Sequence, residues 1–529
     1  MSKVGAILLD TRSIQKYVFG CNKLKTNVGA SFLVDDIFKY MERILKQSGL
    51  VMPKTTWQKT TNVQMATDTS IEAEVVYIGG GNMLVLVRKE GEDTKRLCRR
   101  LVSQWTQELL VKAPGLRTGA AIGELDLSEG AFKESLGQLY RQLKGNQNKI
   151  LPQVDLPDSG MTIECDISGK VATVNDIVGD TYRWISAEVK AKTMAFRMAK
   201  EAVEETYKDI LGTTYCLADD FNDLGYRLGE SYISVVHIDG NNMGVKFGKC
   251  ESMQERKELS MTVARIVREA FGEVLASMVA EYDSYAGYLD LPQGEKRTLP
   301  IRPIIIGGDD ITFVCPGRLG VILTKRFIEA VTAKPMLTDE QHRRMAVDTV
   351  LSKTMSCCGG VAIVPAKYPF FRAYELAEQL CSVAKAESRT DDNSLMEFAF
   401  LHGELYPSVE QLRRHQYVGV EGLLHYGPYS VVAPRQDGSH IQDVISLAIE
   451  LQARVPENKI KKLREVLTQD AHTQRRYMER SRELAKLLGE MNGQETAEAL
   501  WQEATTHAHG TQRKTRYMDA IELIDYLPR

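Results

Sequence analysis

The sequence predicts an α+β protein: two ferredoxin-like domains at 1–123 and 231–403, an irregular connector at 124–230, and a helical domain at 404–529. Three observations carry this. A short apolar strand ending in aspartate occurs twice, at 7–10 and 236–239. A glycine-turn hairpin follows each, with Ile78-Gly79-Gly80-Gly81-Asn82 in one and Ile306-Gly307-Gly308-Asp309-Asp310 in the other. The spacing agrees as well: 71 positions separate Asp10 from Gly81, and 70 separate Asp239 from Asp309. Self-similarity on this scale marks an internal duplication.

In the first copy, 4–10 reads as a strand. Apolar residues at Phe32, Leu33, Ile37, Met41 and Leu45 predict a helix over 30–46. A polar, Thr-rich loop covers 50–70. The run 73–87 is a hairpin with a glycine turn, 94–111 a helix and 116–122 a closing strand. The order β-α-β-β-α-β is the ferredoxin-like one. In the second copy, 232–239 is the first strand, 252–282 a long amphipathic helix and 303–314 the hairpin. Helices are expected at 319–333 and 339–351, a strand at 356–364 and a helix at 370–387. The connector is polar, with one helix over 187–211. Beyond 404, helices are expected at 441–453, 460–467, 475–488 and 495–508.

Composition narrows the function classes. The 529 residues suit three or four domains, and a net charge of −3 with pI ≈ 6.4 provides no global basic field for nucleic acid or anionic lipid. The basic spots at Arg475-Arg476 and 512–516 read as solvated helix faces, leaving direct nucleic-acid binding unsupported. Nine scattered cysteines without a C-x-x-C pair argue against a disulfide scaffold or a standard zinc ribbon. The apolar start is too short for a signal peptide and no run reaches membrane-spanning length, so a reduced, cytoplasmic protein with no membrane partner is expected. No Walker A sequence and no His-Asp pair occurs, which excludes the usual P-loop ATPase and HD phosphohydrolase sites. His507 and His509 form a short pair without carboxylate or cysteine partners and read as incidental. His237 alternates with Ile238 on the strand of Asp239 and reads as packed.

The chemistry concentrates in the second copy. In a ferredoxin-like sheet the first strand and the hairpin are neighbours, so Asp239 is expected to face Asp309 and Asp310. Three carboxylates about one spot suit a site for two Mg²⁺ or Mn²⁺ ions that transfers phosphoryl groups. The Gly240 backbone lies beside them as a further metal contact. Gly240-Asn241-Asn242-Met243-Gly244 follows at a turn into a helix, where backbone N–H groups suit β- and γ-phosphates. Gly307 and Gly308 leave room for a triphosphate against the backbone. Lys385, on the 370–387 helix, is within reach of the same phosphates or is an exposed helix lysine. The first copy has Gly81 and Asn82 where the second has Asp309 and Asp310, so it cannot hold the same metals.

These residues resemble a known family. Ile238-Asp239-Gly240-Asn241-Asn242-Met243-Gly244, the Gly-Gly-Asp-Asp hairpin, 360–364 and the 374–385 helix resemble the palm domain shared by nucleotide cyclases and diguanylate cyclases. They are most similar to that of the large polymerase-cyclase subunit of type III CRISPR effectors. The stretches 13–19 and 29–33 resemble that family's inactive first palm. The resemblance implies synthesis of a cyclic oligonucleotide messenger from ATP or related NTPs in prokaryotic antiviral defence. By position it implies Asp239 and Asp309 as metal ligands with Asp310 close by, and Lys385 as a phosphate contact. It implies Asp10, Gly29, Ser31, Gly80, Gly81 and Asn82 for the second nucleotide, held on the first palm. The family's N-terminal HD domain has no counterpart here, so DNA cleavage is not expected and a stand-alone relative is. The inter-palm zinc motif is eroded, with Cys165, Ser168, Ser186 and Val189 at its cysteine positions, which argues against zinc. Two other readings fit the same residues. One is a nucleotide-binding structural subunit that docks other CRISPR ribonucleoprotein subunits through its C-terminal helices. The other is a diguanylate-cyclase-like enzyme.

Overall fold

The computed structural model describes residues 3–128, 131–149, 160–178, 181–225, 231–292, 294–434, 439–492, 496–506 and 510–527. The chain divides into two compact units. One comprises 1–212, 243–268 and 303–309; the other comprises 213–242, 269–302 and 310–529.

The first unit contains a four-stranded antiparallel sheet in the order Ala73–Gly79, Asn82–Val87, Lys3–Arg12, Arg117–Asp126. In strand Lys3–Arg12 the stretch Val4–Leu9 is buried at every position and does not alternate, because both faces are covered. Ile7 and Leu9 join one core with helices Leu24–Gln47 and Thr94–Lys112, where the Trp105 indole donates to the Ile37 carbonyl at 2.9 Å. Val4, Ala6 and Leu8 join a second core under helix Phe132–Lys149. That helix falls within the span read as connector. Its Phe132, Leu136, Leu139 and Leu143 recur at helical spacing and are buried on the sheet, so the first domain extends past residue 123.

Helix Leu24–Gln47 begins six residues before its expected start and packs on helix Ala187–Thr206. Gly29 sits at this contact, where a Cβ would lie 1.8 Å from the Lys192 carbonyl oxygen. The four eroded zinc positions converge nearby. Cys165 Sγ accepts from Ser168 N at 3.4 Å, the Ser168 and Ser186 hydroxyls lie 3.4 Å apart, and Ser186 caps the helix by accepting from Val189 N at 3.3 Å. One thiol, two hydroxyls and a valine do not fit Zn²⁺. Cys165, Ile185 and Val189 instead close a small apolar cluster at the same place.

In the second unit, five strands lie in the order Asp310–Pro316, Tyr232–Gly240, Cys357–Pro365, Leu395–Phe400, Tyr429–Ser430. The first three pair antiparallel, and Leu395–Phe400 runs parallel to Cys357–Pro365. Helix Phe370–Ser388 seats on Cys357–Pro365. Gly360 makes the seat possible: a Cβ there would lie 2.0 Å from the Ala377 carbonyl oxygen. Gly360→Ala is therefore expected to cost about 1–3 kcal/mol by overpacking, read as a lowered denaturation midpoint. An unchanged midpoint would show that the helix shifts without penalty.

Three helix expectations need correction. The helix read over 339–351 spans only Asp339–Met345, and β-branched Val347, Thr349 and Val350 follow it. The helix read over 495–508 is instead a 3₁₀ turn, Ala497–Leu500, followed by the strands Gln502–Thr506 and Gly510–Lys514 in a hairpin. Thr505, Thr506 and Thr511 favour strands. His507 and His509 lie outside the described residues. The 475–488 span is two helices, Ala471–Arg480 and Arg482–Asn492, divided at Ser481. The basic spots are engaged within the fold: Arg475 pairs with Glu498, Arg513 with Glu421, and Lys514 is buried. Among the described residues, no helix is long and apolar enough to cross a membrane.

Candidate active site on the second sheet

The duplicated strand-hairpin motif produces the same cross-strand step twice. In the first sheet Asp10 is the register partner of Asn82. In the second, Asp239 is the register partner of Asp310. Like charges directly opposite each other on adjacent strands are destabilising. The second pair thus sets two carboxylates against each other, and the first pair does not. Gln147 closes the first copy further by donating to Asp10 Oδ2 at 2.6 Å. Burial raises the Asp10 carboxyl above its usual range, with that hydrogen bond opposing.

Asp309 precedes Asp310 in the Gly307–Gly308–Asp309 turn. Among the described residues, no three His, Cys, Asp or Glu side chains gather as a metal cluster. The expected trio about one spot is therefore a register pair, Asp239 and Asp310. This donor set still fits Mg²⁺, which is commonly held by one or two carboxylates plus substrate phosphates rather than by an all-protein cage.

The helix Phe370–Ser388 and the loop after it hold the segment that follows Asp239. Lys385 Nζ donates to Asp239 Oδ2 at 2.5 Å and to the Gly240 carbonyl at 2.9 Å. Asn241 is buried; its Nδ2 donates to Ser388 Oγ at 2.9 Å and to the Asn393 carbonyl at 3.0 Å. Asn242 takes a left-handed conformation, φ 53°, and its Nδ2 donates to Asp392 Oδ1 at 2.9 Å. Met243 and Gly244 begin helix Met243–Lys249. His237 is buried as expected. Its Nδ1 lies 3.0 Å from Thr312 Oγ1, with the Tyr374 ring edge-on. Burial lowers its pKa to about 4, with Asp239 opposing and Lys385 reinforcing, so the imidazole is neutral at pH 7.

The first unit holds a cavity of about 180 Å³. Gly79, Gly80 and Asn82 of the first hairpin line one side, with Gly308 and Asp309 beside them. Tyr77, Tyr140, Phe247 and Arg256 supply flat walls. The two tyrosine hydroxyls are 3.0 Å apart, and the Arg256 guanidinium sits 5.1 Å from the Phe247 ring centroid. Gly81 is buried, its carbonyl accepting from Thr11 N at 2.9 Å and Thr11 Oγ1 at 3.0 Å. Asn82 Nδ2 donates to the Gly80 carbonyl at 3.0 Å. Gly29 and Ser31 do not line this cavity; both lie in helix Leu24–Gln47, where helix packing accounts for Gly29. Sequence reasoning missed Gln147, Tyr140, Phe247, Arg256, Ser388 and Asp392. The only signal for the last of these was a polar run, Thr390-Asp391-Asp392-Asn393-Ser394, directly after the Lys385 helix.

Comparison with known proteins bears on the fold that carries these residues. Residues 232–395 match the family model of the Cas10/Cmr2 second palm domain. No curated protein matches the chain. Among solved structures, a Csm1–Csm4 cassette in complex with pppApApA aligns over 100% of this chain and 70% of its own, at 12% identity and TM-score 0.53. Csm1 in T. onnurineus aligns over 100% and 70%, at 14% identity and TM-score 0.51. For a Csm1–Csm4 cassette in complex with cA4 the chain spans only 54% of the matched protein, at 14% identity and TM-score 0.44. The two likenesses with TM-scores of 0.53 and 0.51 establish the fold. The Asp239–Asp310 step lies inside the matched domain, and residues 232–395 are a second palm of the Cas10/Cmr2 kind.

Proposed function

We propose that the chain is a metal-dependent nucleotidyltransferase that links and cyclises ATP-derived nucleotides as a cyclase-related protein of type III CRISPR defence. The observation that carries this is the direct register of Asp239 with Asp310, against the Asp10–Asn82 step of the first sheet. Mg²⁺ or Mn²⁺ held by Asp239 and Asp310 would neutralise a triphosphate and favour the 3′-alkoxide of the attacking nucleotide. The remaining work falls to the chain itself. Within the turn 240–244, the backbone N–H groups from Asn242 onward are the ones offered to phosphate oxygens, since the Asn241 N–H is donated to the Ser356 carbonyl. Lys385 keeps the Asp239 carboxylate and the Gly240 carbonyl in place. The cavity at Tyr77, Tyr140, Phe247 and Arg256 offers flat, cationic and hydroxyl surfaces to a nucleoside, next to the glycines of both hairpins. A fold neighbour's complex with pppApApA supports an oligoadenylate as the product type.

The test is to incubate the protein with Mg²⁺ or Mn²⁺ and each NTP, alone and mixed, and to identify products by mass. Cyclic oligonucleotides from ATP are expected. ATP binding by calorimetry without turnover would favour the nucleotide-binding structural subunit instead. Arg256→Ala is expected to weaken ATP binding by about five- to tenfold, on the order of 1 kcal/mol for a lost cation–π wall, while turnover at saturating ATP persists. An unchanged affinity would move the nucleoside out of this cavity.

A further inference from the structure

We infer that Asp392 is a positioning residue that fixes the turn after Asp239 in its working shape; the link to catalysis rests on the function proposed above. Residues 239 to 242 are held by side chains from one short stretch. Lys385 holds Asp239 and the Gly240 carbonyl, Ser388 accepts from Asn241, and Asp392 accepts from Asn242. The positions 385, 388 and 392 are spaced as one helical face, although the helix itself ends at Ser388.

Asp392 is the most constrained of the three. It is 3% exposed and sits at φ 51°, a left-handed conformation uncommon for a non-glycine residue. Its Oδ1 accepts from Asn242 Nδ2 at 2.9 Å and from Ser356 Oγ at 2.8 Å, and its Oδ2 accepts from Ser352 N at 2.6 Å. Ser356 in turn receives the Asn241 N–H on its carbonyl at 2.9 Å. One buried carboxylate thus ties two separate loops to the turn, and its partner Asn242 is itself left-handed. Strain of this kind persists where surrounding contacts over-determine it, and it clusters at functional sites. With the Asn241 N–H spent on Ser356, the contacts hold Asn242 and its backbone N–H in one orientation, and that orientation decides whether this N–H meets a phosphate.

The experiment compares wild type, Asp392→Ala, Asp392→Asn and Asn242→Ala as full-length protein. Two readouts are used: residue-resolved hydrogen exchange of amides 240–243 without ligand, and steady-state ATP kinetics. Asp392→Ala should raise exchange at these amides at least tenfold while exchange in Leu395–Phe400 stays unchanged. It should raise KM for ATP about tenfold with kcat within about threefold. Asp392→Asn, which keeps an acceptor for Asn242 and tolerates the left-handed conformation, should recover most of both. The Asn242→Ala/Asp392→Ala double variant should be no worse than either single one, since both act through one contact. Unchanged exchange in Asp392→Ala, or additive losses in the double variant, overturns the inference. Raised exchange in a protein that neither binds nor turns over ATP upholds the positioning role and removes the proposed function instead. If Asp392→Ala does not fold, Asn242→Ala breaks the same contact from the half-buried side, and raised or unchanged exchange there decides the question in the same way.

Discussion

Asp310→Asn and Asp239→Asn should each lower nucleotide turnover by about 10²-fold or more, the scale set by losing charge stabilisation at a metal-assisted phosphoryl transfer. The argument starts from the register. Asp239 and Asp310 are direct cross-strand partners, so each carboxylate is held opposite the other by the whole ladder from Ile233–Pro316 onward. Removing one charge removes the cation's reason to bind there but leaves the ladder intact. In Asp310→Asn the folded state should therefore hold its melting temperature, or gain slightly, because a like-charge pair has been relieved; in Asp239→Asn that relief is offset by the loss of the Lys385 ion pair. The two readouts move in opposite directions, which separates a site defect from a folding defect. Turnover near the wild-type rate in Asp310→Asn would end the metal-dependent proposal. Asn82→Asp in the first sheet is the informative converse. It recreates two carboxylates in register with each other, at Asp10 and position 82, and should lower stability because Gln147 already occupies Asp10.

Much of this was legible from the sequence, for physical reasons. The strands ending in Asp10 and Asp239 are short apolar runs closed by a charge, and the hairpins carry glycine between two apolar arms; both signals are local. Their pairing followed from the duplicated spacing, since matching separations force matching topologies. What stayed hidden depends on tertiary contact. Helix Phe132–Lys149 looked like connector because its apolar residues are diluted by lysine and glutamine, although four of them are enough to cover a sheet face. Asp392 belongs to a run of polar loop residues whose importance lies in what it accepts from, Asn242 and Ser356, far away in sequence. The late pair of strands Gln502–Thr506 and Gly510–Lys514 was lost to alanine and glutamate, which favour helix until cross-strand pairing overrides them.

The largest stability effect is expected far from the Asp239–Asp310 pair, at a buried ionic staple. His425 lies between two carboxylates, 2.7 Å from Glu397 Oε1 and 2.7 Å from Asp519 Oδ1, and all three are buried. Glu397 is on the sheet strand Leu395–Phe400, and Asp519 is on the C-terminal helix Tyr517–Ile524. Asp519 also accepts from Tyr426 N at 2.9 Å and from the Tyr429 hydroxyl, and Arg413 pairs with Glu397 at 2.7 Å. Asp519→Ala strands these donors and leaves an under-compensated charge, which should cost about 3–5 kcal/mol, read as a fall in the denaturation midpoint.

The pH dependence gives a second, independent check. Burial and Arg413 press the His425 pKa down, but the two carboxylates outweigh them and hold it above the usual value. A raised base stabilises the fold fully below about pH 6.5, its unfolded value, and that contribution is lost as pH rises through the folded value. Glu522, beside Tyr417 and Arg464, adds in the same direction. Burial raises its pKa to about 7, so the folded state keeps a proton that the unfolded chain releases from about pH 4.5 upward. Glu397 acts at the other end: burial opposes its ionisation, yet His425 and Arg413 lower its pKa, so its contribution fades only as pH falls below the ordinary carboxylate range. Wild-type stability should therefore decline as pH rises, from about pH 4.5 to about pH 7 through Glu522 and from about pH 6.5 upward through His425. In Asp519→Asn the His425 share of that decline should shrink, while the Glu522 share remains until Glu522→Gln removes it. Parallel pH profiles for wild type and Asp519→Asn would show that His425 is not the charged centre of the staple. A buried ion triad is a poor way to add stability compared with apolar packing. What it adds is a single permitted alignment of the C-terminal helix on the palm sheet, whose strand Leu395–Phe400 begins three residues after Asp392.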